Sequence, residues 1–249
     1  MKLSLITAVF NNKKYIEDCI KSVLDQSYEN IEYNIVDGGS EDGTIDIIKK
    51  YEHSISKWIS EPDNGIYDAM NKGIKMASGD VIGFLHSDDF YANEGVIEKI
   101  ADAFVTYSVQ SVYSDVVFFN KSINRVIRYW RAGEYRKGLI SRGWMPPHTA
   151  FFVRKEIYEK YGYFNTDLRI AADYELILRF LGKHNITTHY IPEVFIKMRM
   201  GGRSNGSVKN IIRKTVEDYR ALEINGMNGR AFTLALKIIS KLPQFFLRY

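Results

Sequence analysis

Cysteine is almost missing: Cys19 is the single one in 249 residues, so an internal disulfide is excluded. It lies among Ile16, Ile20 and Val23, which marks it as a small core residue rather than a nucleophile. No apolar run reaches the length of a membrane span, and the opening Met1–Phe10 is too short for a signal peptide. There is no dense basic run, and the net charge is only +4, which argues against a nucleic-acid partner. A Walker loop, a nucleophile elbow and a Cys/His cluster are all missing. Gly38-Gly39 lacks the GxGxxG spacing of a dinucleotide oxidoreductase.

What is there is 45% hydrophobic residues, enough for a full core. Buried-strand patterns at Leu3–Phe10, Ile31–Val36, Lys57–Ser60 and Val81–Leu85 alternate with helical patterns at 16–24, 45–51, 66–76 and 96–104. This predicts an α/β chain with a mostly parallel, Rossmann-like sheet flanked by helices. Asn11 and Asn12 are expected to cap the first helix. Beyond residue 105, Ser111–Phe119 and Arg125–Trp130 read as paired strands, Asp173–Leu181 as a helix and Glu193–Met198 as a strand. C-terminal helices follow at 208–223 and 231–247. A catalytic unit of 1–206, with halves 1–105 and 106–206, is expected ahead of a helical appendage of 207–249.

Polar residues gather just after the strands: Asn11, then Asp37, then Asp88 with Asp89. The carboxyl edge of such a sheet is where ligands bind. Asp88 and Asp89, hard oxygen donors at a strand end, suit Mg²⁺ or Mn²⁺, which also bind phosphate oxygens. Asp37 can accept from a base N–H or a ribose hydroxyl, or simply form the turn before Gly38-Gly39. In the loop Gly201–Gly206, Arg203 carries a charge suited to a diphosphate, and the loop is expected to order over a bound donor.

Together the motifs resemble the inverting family 2 glycosyltransferases of the GT-A fold. The resemblance is carried by Ser4-Leu5-Ile6-Thr7 with Asn11, Ser22–Tyr28, Ile35–Ser40 with Asp42-Gly43-Thr44, Ser60–Gly73, and Ser87-Asp88-Asp89. It continues more sparsely at Pro147-His148, Ala172–Leu176 and Gly201–Ser204. It implies a metal-dependent enzyme that passes one sugar from a nucleotide-diphosphate sugar to an acceptor hydroxyl with inversion. The acceptor would be a glycan or a lipid-linked oligosaccharide.

It also implies roles. Thr7 and Asp37 would contact the nucleotide, Asp63 and Asn71 would line the donor pocket, and Asn11 would join them in binding the donor. Asp88 or Asp89 would hold the metal. Asp173 would be the catalytic base, although from its position alone it reads as a helix cap. His86 departs from the family, which often has Asp or Asn there. Neither the Gln-x-x-Arg-Trp motif nor the membrane spans of processive members occur, so transfer of a single sugar is expected. A sugar-1-phosphate nucleotidyltransferase and a non-catalytic nucleotide-sugar module are the alternatives.

The segment 230–249 holds Arg230, Lys237, Lys241 and Arg248 with no acidic residue. Leu and Phe are abundant in it, with Phe245 and Phe246 beyond Pro243. It is expected to contact an anionic membrane peripherally, placing a cytoplasmic protein at the inner face of the cell membrane. Packing on the domain or on a second copy, as a homodimer, is the alternative.

Overall fold

The structure is a computed structural model and describes residues 1–120, 125–199, 208–240 and 244. Three strands, β1 (Leu3–Val9), β2 (Ile31–Asp37) and β3 (Lys57–Ser60), pair in parallel. β4 (Val81–Phe84) joins the other side of β1, also in parallel. The sheet then runs through β8 (Phe151–Arg154), β6 (Ser111–Asn120), β9 (Thr188–Arg199) and the two-residue β5 (Phe90–Tyr91), giving the order β3-β2-β1-β4-β8-β6-β9-β5. β8 is antiparallel to both neighbours, whereas β6 and β9 are parallel to each other. β7 (Arg125–Trp130) pairs antiparallel with β6, as the sequence led us to expect.

Alternation along the strands makes two cores. Leu3, Leu5 and Val9 face one side, with Ile16, Cys19, Ile20 and Val23 of α1 (Ile16–Leu24) and Ile97, Ile100 and Phe104 of α4 (Val96–Tyr107). Ile6 and Ala8 face the other, with Met70 and Ile74 of α3 (Ile66–Met76) and Tyr174, Leu176 and Ile177 of α6 (Ala172–Ile177). Gly83 of β4 is required by closeness: a Cβ there would run into the Phe152 ring. The remaining helices are α2 (Thr44–Lys50), α5 (Lys155–Tyr161), α7 (Val208–Ile224) and α8 (Arg230–Ile239).

Two expectations change. Asn11 and Asn12 do not cap α1 through their side chains. Instead, the Asn11 side-chain carbonyl accepts from Glu41 N–H at 2.9 Å, and the Asn12 amide donates to Ser87 Oγ at 2.8 Å. The polar tips of these asparagines link neighbouring strand ends, which local pattern does not reveal. The last helix is described only to Ile239, so Pro243, Phe245 and Phe246 lie outside the described residues.

Candidate active site

The loops after β1, β2 and β4 are stitched together at the carboxyl edge of the sheet. Asn11 sits in left-handed backbone at φ 48 and donates its N–H to Ser40 Oγ at 2.7 Å. Gly38 N–H donates to Val9 O at 2.9 Å, and Asn12 N–H to Thr44 Oγ1 at 2.9 Å. Asp37, fully buried, accepts from Gly39 N–H, Ser40 N–H, Ser40 Oγ and Ser60 Oγ at 2.5–3.0 Å. Of the two roles open to it, the turn-forming one engages both carboxylate oxygens. Asp63 lies at the same edge: it accepts from Gly65 N–H at 2.8 Å, and its other oxygen presses on Gly38, where a Cβ would collide with it.

Two expected donor residues are engaged within the protein. The Thr7 side chain points into the core beneath α1, its hydroxyl 3.1 Å from Tyr33 Oη and 3.7 Å from Cys19 Sγ. Strand alternation puts it with Leu5 and Val9, away from the groove. The Asn71 side chain clamps the backbone of Phe164, donating to its carbonyl and accepting from its N–H, both at 2.9 Å. It thereby fixes the 164 segment. Arg203 and its loop lie outside the described residues.

Asp88 and Asp89 follow β4 directly. Asp88 is partly exposed and Asp89 buried. Asp89 accepts from Arg199 N–H at 3.0 Å, and the Arg199 guanidinium donates to Asp88 O at 2.8 Å while pairing with Asp18. Burial raises the Asp88 pKa. Burial, with Asp88 beside it, raises that of Asp89 further. Two carboxylates crowded this way favour a cation that would spread their charge. Among the described residues no cluster of three or more His, Cys, Asp or Glu side chains could hold a metal by itself. Two carboxylates completed by phosphate oxygens and water are a donor set that Mg²⁺ or Mn²⁺ accepts, so the residues fit the ion.

Asp173 stands at the start of α6 and makes no side-chain cap. One carboxylate oxygen is 3.1 Å from His148 Nδ1; the other accepts from Tyr67 Oη at 3.1 Å. His148 Nε2 is in turn 3.1 Å from His86 Nε2. If His148 Nδ1–H donates to Asp173, its Nε2 accepts from His86 Nε2–H, and both rings are neutral. Burial supports that state: it lowers the His148 pKa and takes that of His86 down to about 3. For Asp173, burial pushes upward, but His148, Lys237 and Lys214 outweigh it and hold the carboxyl below its usual value. It is therefore ionised throughout the neutral range and open to accept a proton.

A continuous chain thus runs from Asp173 through His148 to His86, two residues before Asp88. Tyr67, His148 and Arg199 had no assigned role in the sequence. The only signals were Tyr67 inside the 60–73 motif, Pro147-His148 as an isolated match, and Arg199 at a strand end.

A mostly parallel sheet of this order, flanked by helices and with acids beyond its carboxyl edge, is an architecture of the GT-A type. The family model described as Glycosyl transferase family 2 matches residues 4–164. The chain belongs to that family and is a glycosyltransferase, which removes the nucleotidyltransferase alternative. It is 36% identical over 183 residues to the uncharacterised glycosyltransferase Rv1514c of Mycobacterium tuberculosis, covering 71% of this chain and 68% of that one. It is 29% identical over 208 residues to a PGL/p-HBAD biosynthesis glycosyltransferase of Mycobacterium bovis, covering 81% and 78%.

In fold it is similar to S. aureus TarS in complex with UDP-GlcNAc, with a TM-score of 0.70 at 18% identity, covering 97% of this chain and 68% of that one. It spans only 39% of a longer TarS chain. The mannosyltransferase PcManGT of Pyrobaculum calidifontis, in complex with GDP-Man and Mn²⁺, gives a TM-score of 0.68 at 16% identity, covering 98% and 73%. These likenesses place the GT-A fold.

Proposed function

We propose that this glycosyltransferase moves one sugar from a nucleotide-diphosphate sugar to an acceptor hydroxyl by a single displacement with inversion. Asp173 takes the acceptor proton as that oxygen attacks the anomeric carbon, and the nucleotide diphosphate departs from the opposite face. Asp88 and Asp89 would hold Mn²⁺ or Mg²⁺, which supplies positive charge for the leaving diphosphate. His148 and Tyr67 fix the Asp173 carboxylate, so the base is already aimed before the acceptor arrives. Asn11, Asp37 and Asp63 shape the donor end: Asp37 by holding the β2 turn, the other two at its rim.

One observation carries this reading. The Asp173–His148–His86 chain ends beside the carboxylate pair, so an ionised base and a seat for a cation share one edge. The structural neighbours' printed ligands, UDP-GlcNAc in one and GDP-Man with Mn²⁺ in the other, support the donor class and the ion. The name of the mycobacterial relative supports an acceptor in surface-glycan or lipid-linked synthesis, at the inner face of the cell membrane. The test is to incubate the chain with a panel of nucleotide sugars and Mn²⁺, then determine the anomeric configuration of the transferred sugar by NMR. Inversion, lost on chelation, supports the reading; retention, or full activity in EDTA, refutes it.

A further inference from the structure

The two C-terminal helices are turned inside out relative to an ordinary surface helix. Toward the domain, α7 presents Glu217, Asp218, Ala221 and Leu222, with Asn225 just past its end, all buried. Glu217 accepts from the Ile170 and Ala171 N–H groups at 2.7 and 3.1 Å, just ahead of α6. The buried residues of α8 are both polar. Thr233 donates to Ser141 O at 2.8 Å. Lys237 pairs with Asp218 at 2.9 Å and lies 3.1 Å from the Tyr174 ring centre. Gly143 lets the Lys237 backbone pack closely against it, since a Cβ there would strike that backbone.

These polar ties fix which side of α8 faces out, and that side is apolar. Ala231, Phe232, Ala235, Ile238 and Ile239 are all exposed, and at 3.6 residues per turn they share an arc of about 120° with no polar residue in it. Phe232 is 66% exposed, Ile238 60% and Ile239 57%. On α7 the side opposite the domain adds Ile212 at 61%, Val216 at 62% and Tyr219 at 42%. An exposed apolar surface of this kind marks a place that something else covers.

We propose that the outer face of α7 and α8 docks on an anionic lipid bilayer. Charge selects that occupant. Among the described residues, the exposed basic side chains of α7 are Arg213 and Arg220, residues 230–249 add Lys241 and Arg248 in sequence and no acid, and Glu223 of α7 is already paired with Arg230 at 2.9 Å. A second copy would bring like charges together, whereas anionic headgroups meet them with opposite charge. No helix among the described residues is long and apolar enough to cross a membrane, so the pair lies in the interface. Glu217 and Lys237 also brace the segment that carries Asp173. On the reading of Asp173 as the base, docking brings the active site to an acceptor held in the same membrane. The docking itself does not depend on that reading.

The experiment uses the full chain with vesicles of phosphatidylcholine alone or mixed with phosphatidylglycerol. The chain is expected to pellet with the anionic vesicles and about tenfold less with the neutral ones or in raised salt. The triple variant Phe232→Ser, Ile238→Ser, Ile239→Ser alters only outward side chains, so it keeps its melting temperature and loses pelleting. Phe232→Trp gives a second readout that needs no loss of stability: the emission of the new indole moves to shorter wavelength on anionic vesicles. The proposal is overturned if the chain ignores anionic vesicles, if the triple variant pellets as before, or if the emission of the Phe232→Trp variant does not move. It is also overturned if the free chain sediments as a dimer that the triple variant makes monomeric, because the face then belongs to a second copy.

Discussion

After β4, burial pushes up the pKa of Asp88, and burial with Asp88 beside it pushes up that of Asp89, Arg199 only partly offsetting both. Asp173, on the same edge, is held below its usual value despite burial, because His148, Lys237 and Lys214 surround it. The same residue type thus occupies two opposite environments. The first site has negative charge in excess and suits a cation; the second is already compensated and suits a proton acceptor that must stay ionised. On the proposed function, two titratable sites driven apart by their surroundings would divide the chemistry between them.

The comparison breaks most sharply at the cation. Asp88→Asn and Asp89→Asn remove charge while keeping shape. Each should cut transfer roughly a thousandfold, several kcal/mol of lost charge stabilisation, and should weaken the dependence on Mn²⁺. Initial rates across a Mn²⁺ titration measure both, and a wild-type response from both variants contradicts the assignment.

Asp173→Asn tests the other side. It cannot take a proton, so turnover should fall on the order of a hundredfold or more, with donor affinity unchanged. A parallel loss of donor binding would make Asp173 a binding residue instead.

His148→Ala sharpens the contrast. It removes one of the groups that hold the Asp173 pKa down, so that pKa rises. The acid limb of the kcat/KM profile then moves to higher pH, with a loss of roughly tenfold at neutral pH as the carboxylate loses its anchor. A profile that drops without moving would mean His148 acts only through packing.

The smallest effect is expected at the opposite edge of the sheet. Burial opposes ionisation of Glu32, but Ser4 and the Ser78 backbone and side chain bond it at 2.5–2.8 Å, Lys2 adds its charge, and its pKa falls from 4.5 to about 2. A depressed folded-state pKa stabilises the fold above the unfolded value, and that contribution fades as pH drops from about 4.5 toward 2. Glu32→Gln should cost about 1–3 kcal/mol, lower Tm by a few degrees at neutral pH, and leave kcat unchanged. An equal Tm loss at pH 2 and pH 7 would contradict the linkage.

Much of the donor edge was legible because its signals are local. Runs such as Leu3–Val9 and Val81–Phe84 are largely apolar, and polar residues follow within a few positions, Asn11 and Asn12 after the first and Asp88 and Asp89 after the second. Thr7 shows what motif matching passes over. Simple alternation with Leu5 and Val9 already turns its side chain into the core, whatever its motif suggests. The hydrogen bonds of Asn71 were hidden for another reason: their partner, Phe164, is 93 residues away.

The surroundings of Asp173 are built almost wholly from such distant pairings. His148 comes from the turn before β8, Lys237 from α8 and Tyr67 from α3, and no local pattern links them to Asp173. β9 was seen only as 193–198, because its first residues, Thr188–Tyr190, are polar and aromatic and gain their strand character from parallel pairing with Ser111–Tyr113. The inverted helices were half legible. The basic, Leu- and Phe-rich composition was visible, but not that Thr233 and Lys237 would be the buried side.

The division of labour is tested most directly by calorimetric titration of UDP and GDP, with and without Mn²⁺, into the wild-type chain, Asp173→Asn and Asp88→Asn. The account predicts Mn²⁺-enhanced binding of one nucleotide to the wild type, the same enhancement in Asp173→Asn, and its loss in Asp88→Asn. Mn²⁺-enhanced binding that survives in Asp88→Asn but disappears in Asp173→Asn would contradict it.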